Sequence, residues 1–328
     1  MTNSQPTDAQ AAARTPSDAA AGDPATAALP VRKKRKPGQW LAAAVALVLL
    51  AQLVHMITSN SRFQWGVVGQ WFLSVSVMKG LWVTIQLTVI CMALGCVLGV
   101  LIATCRLSSN WLLRSLSAVY VSVLRSVPPL VQLIFWYNLA ALLPRLSLGV
   151  PFGPELVGWQ VNSLITPYTA AILGLGLGEA AFMAEIVRGG ILSVPVTQSE
   201  AAAALGMGKG RVFGRIVLPQ AMRAIIPATG NQVINMVKAT SLVSTIAMSD
   251  LLYNVEAVYN RTFQTIPLLL VACLWYLIVT TVLYVLQSMV EAHYQQRPMA
   301  LSWSGAMDAI VFWNRANKRA TKVTEVSS

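Results

Sequence analysis

The side chains in this sequence that could recognise a polar solute are charged, amide and hydroxyl groups placed inside long apolar stretches. Glu179 follows a glycine-containing run at 174–178, and a polar stripe occurs further along the chain. The stripe consists of Asn231, Gln232, Asn235, Lys238, Thr240, Ser241 and Ser244. Of these, Asn231, Asn235, Lys238 and Ser241 are predicted, together with Glu179, to line a translocation pathway. Because a charged side chain at the centre of a bilayer costs about 3 kcal/mol, such residues are expected to face a partner or water. Two interpretations stay open: hydrogen bonds to Glu179 or to a second copy of the chain, or a water-filled translocation cavity for a zwitterionic solute.

The sequence contains none of the familiar catalytic or nucleotide-binding motifs. The string GMGKG at 206–210 lacks the spacing and the following hydroxyl of a phosphate-binding loop, and there is no HExxH, no GxSxG and no cysteine–histidine cluster. Small buried apolar residues, rather than metal ligands or disulfide partners, are expected at Cys91, Cys96, Cys105 and Cys273. We therefore expect no catalytic residue, no metal site and no cofactor bound by this chain.

Composition indicates an all-α integral membrane protein with six transmembrane helices. Charged residues are 11% and apolar residues 55% of the 328 residues, whereas ordinary soluble domains contain roughly 25% charged residues. Six apolar runs approach the length of about 20 residues that spans a bilayer as a helix. They lie at 40–57, 81–104, 119–143, 168–187, 228–251 and 267–292. The formal charge of +12 does not indicate nucleic-acid binding, because the basic residues are spread along the chain and accompany no aromatic recognition motif.

The distribution of lysine and arginine predicts the orientation of these spans. Six spans return both termini to one side, which would then hold 18 of the 24 Lys and Arg residues, whereas the opposite side would hold 3. Because lysine and arginine are enriched in cytoplasmic loops, both termini and the segment 199–220 are expected to be cytoplasmic.

A polar segment punctuated by glycines separates the fourth and fifth apolar runs. Residues 200–205, EAAAAL, are strong helix formers, and Ser199 is expected to cap them. Three glycines within 206–210 are expected to stop this helix, and apolar residues return at helical spacing within 213–217. The pattern predicts two short helices joined by a glycine turn, the second closed by Pro219.

This segment contains a complete motif: Glu-Ala-Ala, three residues, Gly, nine residues, Ile-x-Leu-Pro. Its residues are Glu200, Ala201, Ala202, Gly206, Ile216, Leu218 and Pro219. The segment resembles the signature loop of the membrane subunits of ATP-binding-cassette (ABC) importers. The flanking stretches 125–137, 180–202 and 218–252 are similar to the polar amino acid permease branch of that family. Val196 and Thr197 depart from it, since the family usually has a charged residue and a glycine there.

The resemblance implies a permease core of five helices at 79–294, preceded by an extra N-terminal span at 39–58. The signature residues would couple the chain to a cytoplasmic ATPase dimer, which binds ATP and Mg, so that closure of the ATPases drives alternating access. The resemblance also implies a second permease copy or a homologous permease, an extracytoplasmic solute-binding protein, and a place in the bacterial cytoplasmic (inner) membrane. The implied function is the import of polar amino acids, without catalysis by this chain.

Two alternatives stay open. Within the same family, the solute could be another small polar molecule, such as an opine or a sulfur compound. In a different class, the chain could be a secondary transporter driven by an ion gradient through Glu179, Lys238 and Asp250. The absence of visible inverted repeats and the complete signature loop argue against the second alternative.

Several local features predict packing. The tandem prolines Pro128 and Pro129 remove two backbone donors and should bend or interrupt the third span. Gly95 and Gly99 form a small-xxx-small pair that would let another helix approach closely. Glu185 and Arg188 are three residues apart and are expected to form an ion pair, and a role for Glu185 in transport is the competing interpretation.

Both ends of the chain are predicted to be tails. Residues 1–38 have the composition of a disordered segment, and the basic block at 32–36 is expected to anchor it on anionic lipid rather than to begin a cleaved signal peptide. Residues 295–328 form a second cytoplasmic tail, whose basic residues at 315–322 suggest a helix on the membrane surface.

Overall fold

The protein is described by a computed structural model that covers residues 37–149 and 155–295. The chain divides into two compact units, residues 1–60 and 61–328. Nearly all of the two predicted tails, at 1–38 and 295–328, lies outside the described residues, so those assignments stay predictions.

One helix is described in the first unit, α1 (Pro37–Ser59). It begins at a proline, whose fixed φ suits a first helical turn, and continues through alanine and leucine, which favour helix. The stretch Leu41–Ser59 is long and apolar enough to cross a membrane. The helix therefore has the length required of the extra span predicted at 39–58.

The described part of the second unit is helical apart from one hairpin and short 3₁₀ and π segments. Its α-helices are α2 (Trp65–Phe72), α3 (Val75–Leu107), α4 (Trp111–Ser126), α5 (Pro129–Tyr137), α6 (Leu139–Leu142), α7 (Val161–Leu164), α8 (Pro167–Leu192), α9 (Val196–Ala204), α10 (Lys209–Val212), α11 (Leu218–Ala239), α12 (Leu251–Thr262) and α13 (Thr265–Gln295). The strands are β1 (Arg145–Gly149) and β2 (Glu155–Gln160), and 3₁₀ segments occupy Ser61–Phe63 and Thr240–Ile246.

The hairpin corrects the all-α prediction. β1 and β2 pair antiparallel, with Arg145 opposite Gln160 and Gly149 opposite Glu155. The prediction placed no element between 143 and 168. β1 alternates leucine with polar residues, a period of two that indicates a strand, but over only five residues this signal is weak.

Four helices in the described residues are each long and apolar enough to cross a membrane, namely α1, α3, α8 and α13. The bent pair α4 and α5 would make a fifth. α11 falls short because amide, hydroxyl and charged residues are spread along it and Pro227 lies in its interior. The protein is thus a helical, multi-pass membrane chain, and the predicted count of six spans goes beyond what length and composition of the helices show.

The predicted fifth span at 228–251 is not one continuous helix. α11 ends at Ala239, and the 3₁₀ segment that follows ends at Ile246, directly before Ala247, which has a left-handed φ of 57°. Hydroxyl groups explain the change, because Thr240 Oγ1 and Thr245 Oγ1 each donate to the carbonyl oxygen three residues earlier. Such local bonds compete with the regular helical pattern.

The predicted break at the tandem prolines is confirmed. α4 and α5 meet at an angle of 101°. Pro129 occupies the first turn of α5, where its missing N–H breaks no helical hydrogen bond. The Gln132 amide nitrogen donates to Leu124 O (2.7 Å) and Val127 O (2.9 Å), and so fills the carbonyl oxygens that the break exposes. The predicted third span at 119–143 is therefore two helices joined at a fixed corner.

α8 is the central helix of the second unit, and α3, α4, α5 and α11 all pack against it. A Cβ atom on Gly95 of α3 would lie 2.7 Å from Glu179 Cγ, and one on Gly99 would lie 2.5 Å from Met183 Cβ. Neither distance is tolerated by real side chains, so the close approach of α3 and α8 requires glycine at both positions. The predicted small-xxx-small contact is confirmed.

Two adjacent glycines of α8 provide a test of this packing. A Cβ atom on Gly190 would lie 2.4 Å from Ile225 Cγ1 of α11, whereas one on Gly189 would meet nothing within 4 Å. We expect Gly190→Ala to destabilise the protein by about 1–3 kcal/mol, because the overpacked contact forces the two helices apart. Gly189→Ala should leave stability unchanged or raise it, since alanine favours helix. Thermal unfolding of the purified variants in detergent measures the difference, and equal stabilities would contradict the packing argument.

Candidate translocation cavity and coupling loop

The first helix of the signature segment begins four residues earlier than predicted. α9 starts at Val196, with Pro195 in extended conformation (φ −58°, ψ 131°) at the capping position. Ser199 lies inside α9 and is not its cap, so that prediction is wrong. Pro195 has no N–H to leave unpaired, and its fixed φ orients the chain for the first turn of a helix. Glu200 therefore lies in the second turn of α9 rather than at its positive end.

The predicted glycine stop of this helix is confirmed at Gly206. This residue has φ +76°, a left-handed conformation that only glycine adopts without strain. Gly206 N donates to Ala203 O (2.9 Å) and Met207 N donates to Ala202 O (3.1 Å), the pair of bonds of a Schellman motif. The motif fixes the sharp exit of the chain from α9.

Pro219 does not close the second helix of the segment, contrary to the prediction. α10 continues through a π-helical turn at Phe213–Val217 directly into α11, and Pro219 lies in the first turn of α11. Proline cannot donate to the carbonyl oxygen four residues earlier and its ring crowds that turn. The wider π turn makes room for the proline ring and does not need the missing hydrogen bond, so the chain stays helical into α11.

The signature residues differ in exposure. Ala202 is buried, whereas Glu200, Ala201 and Gly206 are exposed. Leu205 is not among the predicted site residues, yet it exposes 83% of its surface directly after α9. An exposed leucine at the end of the same short helix as an exposed glutamate, which forms no ion pair among the described residues, suits contact with another protein.

A cavity of about 230 Å³ lies between α5, α8 and α11, and we call it the glutamate cavity. Its lining combines glycine, amide, acidic and apolar side chains. These are Pro129, Gln132, Gly174, Leu175, Gly178, Glu179, Phe182, Gln232, Asn235, Met236 and Ala239. Of the predicted pathway residues, Glu179 and Asn235 line it. Asn231, Lys238 and Ser241 do not, although they belong to the same stretch of chain.

Two acceptor oxygens in the glutamate cavity have no partner. Glu179 exposes 6% and Gln132 5% of its surface, and Oε1 of each accepts no hydrogen bond from the described residues. The orientation of the Gln132 amide is fixed, because its nitrogen donates to two α4–α5 carbonyl oxygens and cannot exchange places with the oxygen. Buried acceptors are normally paired. The cavity is therefore suited to a solute that brings hydrogen-bond donors.

Glycines of α8 create the space for this arrangement. A Cβ atom on Gly174 would lie 2.9 Å from Leu133 Cα, and one on Gly178 would lie 3.3 Å from Gln132 Oε1. Both glycines let α5 approach α8 closely enough to bring Gln132 beside Glu179. The predicted hydrogen bond between the stripe of α11 and Glu179 Oε1 is not found among the described residues.

Glu185 forms the ion pair predicted with Arg188, whose Nη2 lies 2.8 Å from Glu185 Oε2. Arg106 of α3 also binds Glu185. Arg106 is 79 residues away from Glu185 along the chain, so sequence spacing alone gives no sign of this third member. The cluster ties α3 to α8 near the ends of both helices, which supports the structural interpretation of Glu185.

The remaining candidates are placed apart from the glutamate cavity. Asp250 caps α12, accepting from Leu252 N (3.2 Å) and Tyr253 N (2.8 Å), and does not line the cavity.

Among the cysteines, Cys91 is buried as predicted but Cys273 is exposed on α13, so the expectation of burial is wrong there. The described residues contain no group of three or more His, Cys, Asp or Glu side chains that could hold a metal ion.

The family model and the relatives that this chain matches are all membrane components of transport systems. Residues 95–296 match the family model described as binding-protein-dependent transport system inner membrane component. The arginine transport system permease protein ArgU of Corynebacterium glutamicum is 40% identical over 80% of this chain and 82% of its own length. The octopine transport system permease protein OccM of Rhizobium radiobacter is 37% identical over 67% of this chain and 86% of its own.

A crystal structure of an amino acid ABC transporter with histidines is similar in fold. It has a TM-score of 0.58 and 29% sequence identity, and the match covers 66% of this chain and 94% of that chain.

Proposed function

The chain belongs to the binding-protein-dependent transport system inner membrane components, and we propose that the polar amino acid it translocates carries a cationic group, with arginine as the first candidate. It is the permease subunit of an ABC importer, and a separate ATPase subunit hydrolyses ATP.

The observation that carries this proposal is the pair of unpartnered acceptors in the glutamate cavity. An ammonium or guanidinium group supplies several donors and no acceptor, which complements Glu179 Oε1 and Gln132 Oε1. The cavity volume of about 230 Å³ lies below the roughly 300–1,000 Å³ of sites for drug-sized ligands, as a small solute requires. The name of the arginine permease that is 40% identical points to the same chemistry.

The transmembrane arrangement that we propose has six spans with both termini in the cytoplasm. α11 would be the fifth span despite its polar residues, because it packs against α8 and α13, which are both apolar enough to span. Gln232 and Asn235 of α11 line the glutamate cavity and so would avoid lipid. The excess of Lys and Arg on the side of the termini supports the orientation.

We propose that the signature segment couples the permease to the ATPase. Glu200, Ala201 and Leu205 would bind the ATPase surface, Ala202 would hold α9 against the rest of the segment, and Gly206 would set the exit of the chain. Ile216, Leu218 and Pro219 continue without interruption into α11, so a force on α9 would reach a helix that lines the glutamate cavity. An ATPase dimer, a second permease subunit and a solute-binding protein complete the proposed assembly.

An opine is the second candidate solute, because permeases named for octopine and nopaline are 37% and 38% identical to this chain. An ion-driven transporter has less support. Its three proposed residues are not brought together, since Glu179 lines the glutamate cavity and neither Lys238 nor Asp250 does.

The test is ATP hydrolysis in proteoliposomes that contain the permease with its ATPase and solute-binding protein. The twenty amino acids and octopine are supplied one at a time. We expect arginine to stimulate hydrolysis and to be taken up with it. Stimulation by octopine alone would replace the solute, and uptake that follows an ion gradient without ATP would overturn the proposal.

A further inference from the structure

A second polar cavity lies beside the first, and we call it the arginine cavity. It has a volume of about 420 Å³ and is lined from α3, α4 and α8 by residues that include Arg106, Ser122, Arg125 and Glu185. Phe182 lines both this cavity and the glutamate cavity, and no other described residue is common to the two linings. Phe182 is therefore the wall that the two linings share among the described residues, and we call it the partition.

Along α8, the partition lies between the glutamate that lines one cavity and the glutamate that lines the other. Glu179, Phe182 and Glu185 follow one another at intervals of three residues. Residues at this spacing lie near one face of a helix, and each step advances about 4.5 Å along its axis. A solute that leaves the glutamate cavity toward the C-terminal end of α8 would meet the Phe182 ring first and the arginine cavity next.

A contact from α4 holds the partition in place. The Tyr120 hydroxyl donates to Leu177 O at 2.9 Å and fixes α4 against α8. Five residues further along α4, the guanidinium carbon of Arg125 lies 5.3 Å from the centroid of the Phe182 ring. This cation–π contact is weak enough to be broken by a small shift of α4 relative to α8.

The charges of the two cavities are opposite in kind. Glu185 is bound by Arg106 and Arg188, and Arg125 has no carboxylate partner among the described residues. The arginine cavity thus offers guanidinium donors, which bind carboxylates in a bidentate manner. The glutamate cavity offers acceptors. An amino acid carries both a cationic group and a carboxylate, and along this path it would meet the acceptors before the donors.

We propose that Phe182 is the inner gate of the permease and that the arginine cavity is an exit subsite in which Arg125 binds the carboxylate of the departing amino acid. When α4 shifts, Arg125 releases the ring and the ring turns aside. Arg125 is then free to bind the solute. This inference rests on the proposed function, because it assumes that the glutamate cavity holds the solute.

The test uses proteoliposomes that contain the assembled transporter and are loaded with labelled arginine. The transporter is trapped with ATP and orthovanadate. In this state the outer side is expected to be open, so that only the inner gate prevents the solute from crossing. We expect arginine to escape at least about tenfold faster through Phe182→Ala than through the wild-type transporter. The reason is that the variant lacks the ring whose contact forms the barrier to escape. Phe135→Ala is the matched control, because Phe135 is exposed on α5 and lines neither cavity.

The subsite is tested in the leaking variant. Adding Arg125→Gln to Phe182→Ala should slow the escape of arginine by about tenfold, the effect of losing one charge-assisted contact. It should not slow the escape of the decarboxylated amine of arginine, which has no carboxylate to bind. A purely structural role of Arg125 would change the two rates together.

The outcomes separate the two proposals. If wild-type transporter takes up neither arginine nor octopine, the proposed function fails. If the wild type takes up arginine but Phe182→Ala retains it as well as the wild type, the gate is wrong. Should Phe182→Ala fail to assemble, Phe182→Trp provides the second variant: the larger ring should block uptake without a leak, and normal uptake in that variant would overturn the gate. Equal slowing of arginine and amine by Arg125→Gln would overturn the subsite.

Discussion

Glu200→Lys is expected to abolish uptake while the permease still inserts and folds. Glu200 is exposed on α9 and forms no ion pair among the described residues, so its replacement breaks no ion pair in that part of the chain. On the proposed ATPase surface, the reversed charge would meet groups arranged for a carboxylate. Like charges placed opposite each other at an interface cost several kcal/mol, so we expect ATP hydrolysis to become independent of solute and uptake to fall to background.

Gly206→Glu should give the same loss of uptake for a different reason. Its φ of +76° would cost a side-chain-bearing residue about 1–2 kcal/mol, which would misdirect the chain where it leaves α9. Gly206→Asn is the matched control, because asparagine adopts the left-handed conformation more readily than other residues and should retain much of the uptake. Co-purification of the ATPase with each variant measures docking separately from transport. Normal uptake in Glu200→Lys or Gly206→Glu would defeat the coupling assignment.

Glu179→Gln is expected to reduce uptake by about 10- to 100-fold, as loss of one hydrogen bond to a charged group implies. The same variant should be at least as stable as the wild type. A buried carboxylate without a partner opposes folding, and the neutral amide removes that cost while filling the same space. Loss of uptake together with unchanged or increased stability indicates a residue that binds the solute rather than one that stabilises the fold.

Glu256→Gln is the control for this second prediction. Burial raises the pKa of Glu256, but this carboxyl lies on α12, outside the glutamate cavity. Uptake should be unaffected in Glu256→Gln. Solute-stimulated ATP hydrolysis and thermal unfolding, measured on both variants, provide the two readouts. Wild-type uptake in Glu179→Gln would show that the glutamate cavity is not on the solute pathway.

The sequence by itself determined the class of the protein. Long apolar runs cannot face water, which identified a membrane protein, and the uninterrupted motif from Glu200 to Pro219 identified the importer permease. The interruption at Pro128 and Pro129 and the ion pair of Glu185 with Arg188 were also predictable. Each of these depends on local composition or on residues a few positions apart, where the geometry of a helix or of proline is already fixed.

Only the tertiary structure decided which polar residues share a cavity. Gln132 and Glu179 are 47 positions apart in the sequence and meet because Gly174 and Gly178 let α5 approach α8. Helix packing also decides which residues of the predicted polar stripe reach the cavity. Asn235 lines the glutamate cavity, while Lys238 does not. Arg106, Arg125 and Phe182 likewise belong to three helices whose contacts depend on packing. A sequence gives the period of each helix, but the rotation and separation of one helix relative to another are set by the side chains of both.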